Sequence, residues 1–131
     1  MSNFSLGDFV SRLEVAYRGH LRSIRVLRVN FILDVLHILY KNGLIRGFFV
    51  SMDYVEVFLK YYQNRVVFYK IELVSRPGRK VYWSLDKLSN RYNNNSFSGF
   101  YIISTSFGLV TSNDCLLGRH IGGEVLLKVS V

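Results

Sequence analysis

The chain has 131 residues, half of them hydrophobic, and carries a formal net charge of +8 with a single cysteine. Its length suffices for one domain, or for two small lobes, with an apolar core. A single cysteine excludes an intrachain disulfide and a cysteine-based zinc cluster, and no apolar run reaches the length of a membrane-spanning helix. The charge excess favours an anionic partner, most often nucleic acid, over a membrane surface or a charge that serves solubility alone.

The first half of the chain is expected to fold in the order α-β-α-β-β. Apolar residues at helical spacing predict helices at 6–17 and 30–42. Asn30 is expected to cap the second helix, and Gly43 can take the left-handed conformation that commonly ends one. Short apolar runs predict strands at 24–27, 45–50 and 54–61. Two helices of this kind can cover one face of a small sheet.

The second half begins with a predicted strand at 66–74 and a tight turn. Pro77-Gly78 favours a type II turn, because proline presets the first central residue and glycine supplies the positive φ of the second. Residues 85–88 fit a short helical turn. The polar, asparagine-rich stretch 89–98 is predicted to be a loop.

Strand-like runs dominate the end of the chain, at 100–103 and 124–131. The elements together predict an α+β fold of two small lobes. The first lobe, residues 1–63, has the α-β-α-β-β order. The second lobe, residues 64–131, is mostly β with short helical turns.

One short segment carries the clearest functional signal: Ser104-Thr105-Ser106-Phe107-Gly108. The strand-like runs on either side predict that it forms a tight, exposed turn. Short hydroxyls and backbone N–H groups can donate to phosphates, riboses and base edges alike. Nothing near this turn in the sequence resembles a catalytic base. On a chain this basic, we interpret the turn as a nucleic-acid contact.

Other features allow more than one interpretation. The arginines of residues 18–28 suit a strand edge along a phosphate backbone or an ordinary basic surface. Cations also crowd the turn at 76–80. Tyr82 can stack on a base or pack on the sheet. Gly122-Gly123 allow the backbone to approach a neighbouring strand or a ligand closely.

Several stretches agree in order and spacing with one known family. They are residues 8–13, 43–45, 59–61, 74–78 with Val81 and Tyr82, 104–106 with Gly108 and Thr111, and 122–124. On these residues the chain resembles the bacterial-type ribosomal protein S-eight family of the small subunit. The resemblance spans nearly the whole chain. Its combination of Ser-Arg-Pro-Gly, Ser-Thr-Ser-x-Gly and Gly-Gly-Glu is specific, although each motif alone is weak.

The resemblance implies a structural, non-enzymatic protein. Members bind the central domain of small-subunit rRNA directly and early in assembly, beside other ribosomal proteins. It implies no metal, cofactor, small-molecule substrate or membrane partner. The RNA contacts that it implies here are Arg12, Ser75, Arg76, Tyr82, Ser104, Thr105, Ser106, Gly108, Gly122, Gly123 and Glu124. Glu124 would accept from a base amino group or hold the loop, because a carboxylate facing a phosphate is repelled.

The chain also departs from the family pattern. Phe107 stands where the family usually has a basic residue, which removes one phosphate contact. The stretch 89–98 replaces an apolar, glycine-bearing segment. Such drift favours an organellar ribosome, mitochondrial rather than plastid, with the bacterial cytoplasm as a further alternative.

Three other function classes compete with this interpretation. A basic RNA-binding module outside the ribosome is the main alternative. An enzyme would need Ser104 or Ser106 as nucleophile with one of three histidines, but the turn lacks the Gly-x-Ser-x-Gly elbow. A membrane-surface protein would need a basic amphipathic helix, and the first predicted helix carries few cations on one face.

Overall fold

The computed structural model describes residues 3–63, 65–66, 70–76, 78–94, 99–115 and 122–130. The chain divides into two compact units, Met1–Phe68 and Tyr69–Val131. Helices and antiparallel sheets occur together, which confirms the α+β prediction. The lobe boundary expected after residue 63 lies just before this division and stays a prediction.

The first unit begins with the predicted α-β-α-β-β order and adds a short hairpin. Its elements are α1 (Asn3–Arg18), β1 (Ser23–Leu27), α2 (Asn30–Lys41), β2 (Ile45–Val50), β3 (Tyr54–Leu59), β4 (Tyr61–Tyr62) and β5 (Arg65–Val66). The antiparallel sheet has the strand order β1-β3-β2, and β4 pairs with β5 separately.

The second unit is built on one larger antiparallel sheet. Its elements are β6 (Lys70–Leu73), β7 (Tyr82–Trp83), α3 (Leu85–Asn94), β8 (Gly99–Thr105), β9 (Gly108–Thr111), α4 (Ser112–Asp114) and β10 (Gly123–Ser130). The strands follow the order β6-β10-β8-β9, and β7 also pairs with β10.

The apolar faces predicted from helical spacing form the core of the first unit. The buried residues of α1 are Leu6, Phe9, Val10, Leu13, Ala16 and Tyr17, and those of α2 are Ile32, Val35, Leu36 and Leu39. Alternate residues of β3, namely Val55, Val57 and Leu59, are buried as well. The period of the pattern therefore identified the inward face of both helices.

Both helices of the first unit end in the same way. The N–H of Gly43, at φ 75°, bonds the carbonyl of Tyr40, and the N–H of Leu44 bonds that of Leu39. This Schellman pattern confirms the predicted stop. His20, at φ 55°, takes the equivalent place after α1. The cap prediction for Asn30 is wrong, because the cap residue is Val29, in extended conformation, and Asn30 is the first helical residue.

A buried tyrosine connects three elements of the first unit. Tyr17 is 4% exposed. Its hydroxyl donates to the carbonyl oxygen of Leu44 at 3.1 Å and accepts from the N–H of Lys60 at 3.4 Å. Its ring meets that of Tyr61 edge to face, with centroids 5.4 Å apart. One side chain thus ties the end of α1 to the end of α2 and to the chain that follows β3.

The loop predicted at 89–98 is a helix as far as Asn94, and residues 95–98 lie outside the described part of the chain. The hydroxyl of Ser84 accepts the N–H of Lys87 at 3.4 Å, which caps α3. Leu88 is fully buried, in a cluster with Tyr101 and Cys115. This tertiary anchor outweighs the weak helix propensity of asparagine.

We predict that Tyr17→Phe lowers the free energy of unfolding by about 1–2 kcal/mol near neutral pH, because two buried backbone groups lose their partner. Burial raises the pKa of Tyr17 from 10.0 to about 12. Between these values only the unfolded chain ionises this hydroxyl, so the wild type loses stability as the pH rises from about 10 to 12. Urea unfolding across this range should show that Tyr17→Phe lacks this part of the loss. Parallel curves for the two proteins would contradict the prediction.

Candidate nucleic-acid interface

β10 is paired along both edges. β8 lies on one edge, whereas the other edge is shared by β6, opposite residues 127–130, and β7, opposite Gly123 and Glu124. Between β6 and β7 the chain leaves the sheet and returns to the same edge. The N–H of Val74 bonds the carbonyl of Leu126 before this excursion. The N–H of Val125 bonds the carbonyl of Val81 after it.

Ser75 stabilises this connection between β6 and β7 from its inner side. The side chain is fully buried. Its hydroxyl donates to the carbonyl oxygen of Val125 at 2.6 Å and accepts from the N–H of Val81 at 2.9 Å. The resemblance implies that Ser75 contacts RNA, whereas its hydroxyl is engaged within the protein. We therefore expect Ser75 to affect RNA binding only indirectly, through the position of the turn that it holds.

The turn that Ser75 supports is tight and basic. The N–H of Arg79 bonds the carbonyl of Arg76 at 2.8 Å, and Gly78 has φ 79°. Both features fit the predicted type II turn, although Pro77 itself lies outside the described residues. Arg76, Arg79 and Lys80 are all exposed. The resemblance implies only Arg76 as an RNA contact here, but Arg79 and Lys80 are exposed beside it.

Three predicted contact residues form a row across the sheet. Glu124 is the cross-strand partner of Tyr82 on one side and of Ser104 on the other. Direct partners in an antiparallel sheet share a face, with Cβ atoms about 5 Å apart. Tyr82 is 63% exposed, so its ring is available for stacking and is not packed into the core. The row combines a ring, a carboxylate and a hydroxyl on one face.

The hydroxyl segment ends in a two-residue tip. β8 continues through Thr105 and β9 begins at Gly108, so Ser106 and Phe107 form the exposed connection. Thr105 Oγ1 accepts the N–H of Phe107 at 3.1 Å and donates to the carbonyl oxygen of Gly108 at 2.9 Å. Gly108 has φ 106°, which side chains rarely allow. Thr105 thus shapes the hairpin, while Ser106 presents the outer hydroxyl.

The glycine pair is explained by close packing of strands. A Cβ on Gly123 would lie 2.2 Å from the carbonyl oxygen of Ser104, and one on Gly122 would lie 2.3 Å from that of Trp83. Of the two alternatives, a neighbouring strand or a ligand, the structure accounts for these glycines by the strands. Direct contact of either glycine with RNA stays a prediction.

Arg12 belongs to the first unit. Its Nε lies 3.1 Å from a carboxylate oxygen of Asp8, and its Nη1 donates to the carbonyl oxygen of Arg25 at 3.1 Å. It therefore joins α1 to β1 while its side chain remains about half exposed. The other predicted contacts all lie in the second unit.

The histidine side chains of the described residues lie in one unit, and the cysteine lies in the other. Within the described residues, no cluster of histidine, cysteine and carboxylate side chains could hold a metal ion. The described histidines, His20 and His37, both lie in the first unit, against Tyr61 and Phe48. Cys115 is buried, and burial, followed by the charge of Asp114, raises the pKa of its thiol. A thiol of this kind is a poor nucleophile.

No helix of the described residues is both long enough and apolar enough to cross a membrane.

The chain matches a known protein family along nearly its whole length. A family model described as Ribosomal protein S8 matches residues 5–130. The chain belongs to the ribosomal protein S8 family. It is similar to the small ribosomal subunit protein uS8m of Acanthamoeba castellanii, with 34% identity over 126 residues that cover 95% of this chain and 98% of the relative. The uS8 of Rickettsia rickettsii (strain Sheila Smith) is 32% identical over 130 residues, with 95% and 96% covered.

In this member of the S8 family, most of the predicted contact residues lie at one end of a single sheet. β8 ends there, β9 and β10 begin there, and β7 pairs with the first residues of β10. The residues of this end are Tyr82, Ser104, Thr105, Ser106, Gly108, Gly122, Gly123 and Glu124. The turn of Ser75 and Arg76 is attached at the next residues of β10.

We predict that Ser75→Ala lowers the free energy of unfolding by about 1–3 kcal/mol, because the buried carbonyl of Val125 and the N–H of Val81 lose their partner. Urea unfolding followed by circular dichroism gives this difference. Ser106→Ala, at an exposed position, is the control and should unfold at the wild-type midpoint. Equal midpoints for Ser75→Ala and the wild type would show that this hydroxyl does not contribute to the stability of the fold.

Proposed function

We propose that this protein is a structural component of the small ribosomal subunit and binds the central domain of its rRNA directly, without a catalytic role. The observation that carries the proposal is the convergence of hydroxyls, an exposed ring and a basic turn on one end of the second unit's sheet. Membership of the S8 family supports the ribosomal part of the proposal.

The chemistry of this end suits folded RNA. The major groove of an A-form helix is too narrow for side chains to read, so proteins recognise riboses, phosphates and distorted bases. Ser106 at the hairpin tip can donate to or accept from a ribose or a base edge. Tyr82 can stack on an unpaired base. Glu124 can accept from a base amino group, which gives the row a sequence preference that cations alone lack.

The basic turn supplies the part of the binding that does not depend on sequence. Arg76, Arg79 and Lys80 are exposed together, and arginine meets phosphate through two parallel N–H donors. Ser75 fixes this turn to β10 next to the row. Phosphate contacts from the turn would therefore orient the RNA for the hydroxyl and ring contacts.

We place the protein in the mitochondrial ribosome. Its relative in Acanthamoeba castellanii is named uS8m and matches over nearly the full length of both chains. There its partners are the rRNA and neighbouring proteins of the small subunit. The central domain as the particular RNA target is the part of the proposal that needs an experiment.

The direct test is binding of the purified protein to the central-domain fragment of its small-subunit rRNA across a salt series. A duplex of equal length and scrambled sequence is the control. We expect the preference for the fragment to persist at moderate salt, because contacts to riboses and bases are less sensitive to salt than contacts to phosphates. Equal and steeply salt-dependent binding to both RNAs would instead favour a general basic module outside the ribosome.

We predict that Ser106→Ala weakens binding to the fragment by roughly 1–3 kcal/mol, because its partner on the RNA is left without a hydrogen bond in the interface. Ser106→Thr retains the hydroxyl and should retain most of the affinity. Fluorescence anisotropy titrations give both values. Wild-type affinity for Ser106→Ala would remove this residue from the interface.

We predict that Arg76→Ala weakens binding to the fragment and to the scrambled duplex alike. The slope of log K against log salt should become shallower by about one unit, because one phosphate contact is lost. Arg76→Lys keeps the charge and should keep the slope. If Arg76→Ala and the wild type show the same slope, the turn does not contact phosphate.

A further inference from the structure

The first unit contains a basic pocket that includes none of the predicted RNA contacts. It lies where β3 ends, with an open volume of about 880 Å³. The start of β1 lies on one side of this point and the start of β2 on the other, since Phe58 is the cross-strand partner of both Ser23 and Gly47. The lining residues that matter here are Arg22, Ser23, Arg46, Phe58, Lys60 and Tyr61.

The charged residues that line this pocket in the described part of the chain are all basic, and one carboxylate, that of Glu56, accepts a hydrogen bond from the hydroxyl of the lining residue Ser23 at 2.9 Å. Arg22, Arg46 and Lys60 line it, and no carboxylate is among its described lining residues. Arg46 falls at the register shift between Ile45 and Gly47, so it does not take part in the regular pairing. Both arginines are exposed. A pocket of this charge attracts an anion.

One ring in the pocket is left uncovered by its neighbours across the sheet. Phe58 is 39% exposed, and its two cross-strand partners are the small residues Ser23 and Gly47. A Cβ added at Gly47 would meet no atom within 4 Å. The space beside the Phe58 ring is therefore open.

The second ring in the pocket is held in place. The hydroxyl of Tyr61 donates to the carbonyl oxygen of Leu21 at 2.7 Å. His20 stacks on its ring, with centroids 5.4 Å apart, and Tyr17 meets the same ring edge to face. A wall that is already ordered loses little conformational entropy when a ligand binds.

We propose that this pocket binds one unpaired nucleotide of an RNA strand. The base lies against Phe58 in the space beside Gly47, and the arginines hold the adjoining phosphate. Aromatic rings beside a positively charged groove are what proteins use to bind single strands. An acidic peptide would satisfy the cations but leave the open side of the ring unfilled, so the geometry favours RNA. The choice of RNA as the ligand rests on the proposed RNA-binding function. The pocket adds a single-strand site in the first unit to the contacts proposed for the second.

The test is Gly47→Val, which fills the space beside Phe58. Gly47 does not have a left-handed φ, and the new side chain meets open space. A β-branched residue also suits a strand, so the variant should unfold at or above the wild-type midpoint. Binding of fluorescein-labelled decauridine should weaken roughly 5- to 100-fold, as expected when one base loses its stacking contact. Arg46→Ala should weaken it as well and make the salt dependence shallower.

Met52→Ala is the control in the same unit. Met52 is exposed in the turn before β3, at the opposite end of that strand from Phe58, and its loss should leave decauridine binding unchanged. Cross-linking of the wild type with a 5-iodouridine oligonucleotide should label Phe58 or Tyr61, as located by mass spectrometry. Unchanged binding by Gly47→Val, or labelling only in the second unit, would overturn the proposal.

Two further probes separate the possible failures. Hexaglutamate that binds the wild type but not Arg46→Ala, while decauridine binds neither, would overturn the RNA ligand and indicate an acidic protein partner. The central-domain fragment is titrated in parallel. If the fragment binds and decauridine does not, the pocket proposal fails while the proposed function stands. If decauridine binds at the pocket and the fragment is bound no better than its scrambled control, the proposed function fails alone.

Discussion

The pairing of β10 along both edges is the constraint on which the second unit depends. Its first residues pass between β7 and β8 so closely that Gly122 and Gly123 leave no room for a side chain. The same closeness places Glu124 between Tyr82 and Ser104. The row of Tyr82, Glu124 and Ser104 is therefore a consequence of strand packing, and a substitution that separates these strands would disrupt the row together with the pairing.

The buried hydroxyl of Ser75 has a comparable effect on the basic turn. An unpaired polar group inside a protein costs free energy. The bonds of the Ser75 hydroxyl to Val125 and Val81 therefore hold the connection between β6 and β7 against β10. The cations of the turn stay in solvent, where like charges repel each other only weakly. Rigidity beneath the turn and charge at its surface are thus supplied by different residues. This separation lets the turn remain ordered while it carries three exposed cations.

In the first unit, aromatic contacts order the candidate pocket and small residues keep it open. Tyr17 and Tyr61 order the chain after β3, while Gly47 and Ser23 keep the neighbouring face of the sheet open. Local patterns predicted both helices and the sheet strands here, because their inward faces follow the helical and strand periods. The same patterns do not identify the pocket, since its cations come from the ends of three strands that are separated in sequence.

The sequence by itself determined the α+β class, the inward faces of α1 and α2, the stop at Gly43 and the tight turns at Gly78 and Gly108, because periodicity and backbone sterics act over a few residues. Only the tertiary structure decided that Ser75 is buried, that Tyr82 is exposed and that the stretch after Leu88 is helical. These outcomes depend on partners far along the chain, namely β10 for Ser75 and the core around Tyr101 for Leu88. Local propensity contains no information about such partners, and their packing energies exceed the differences in propensity that distinguish a loop from a helix.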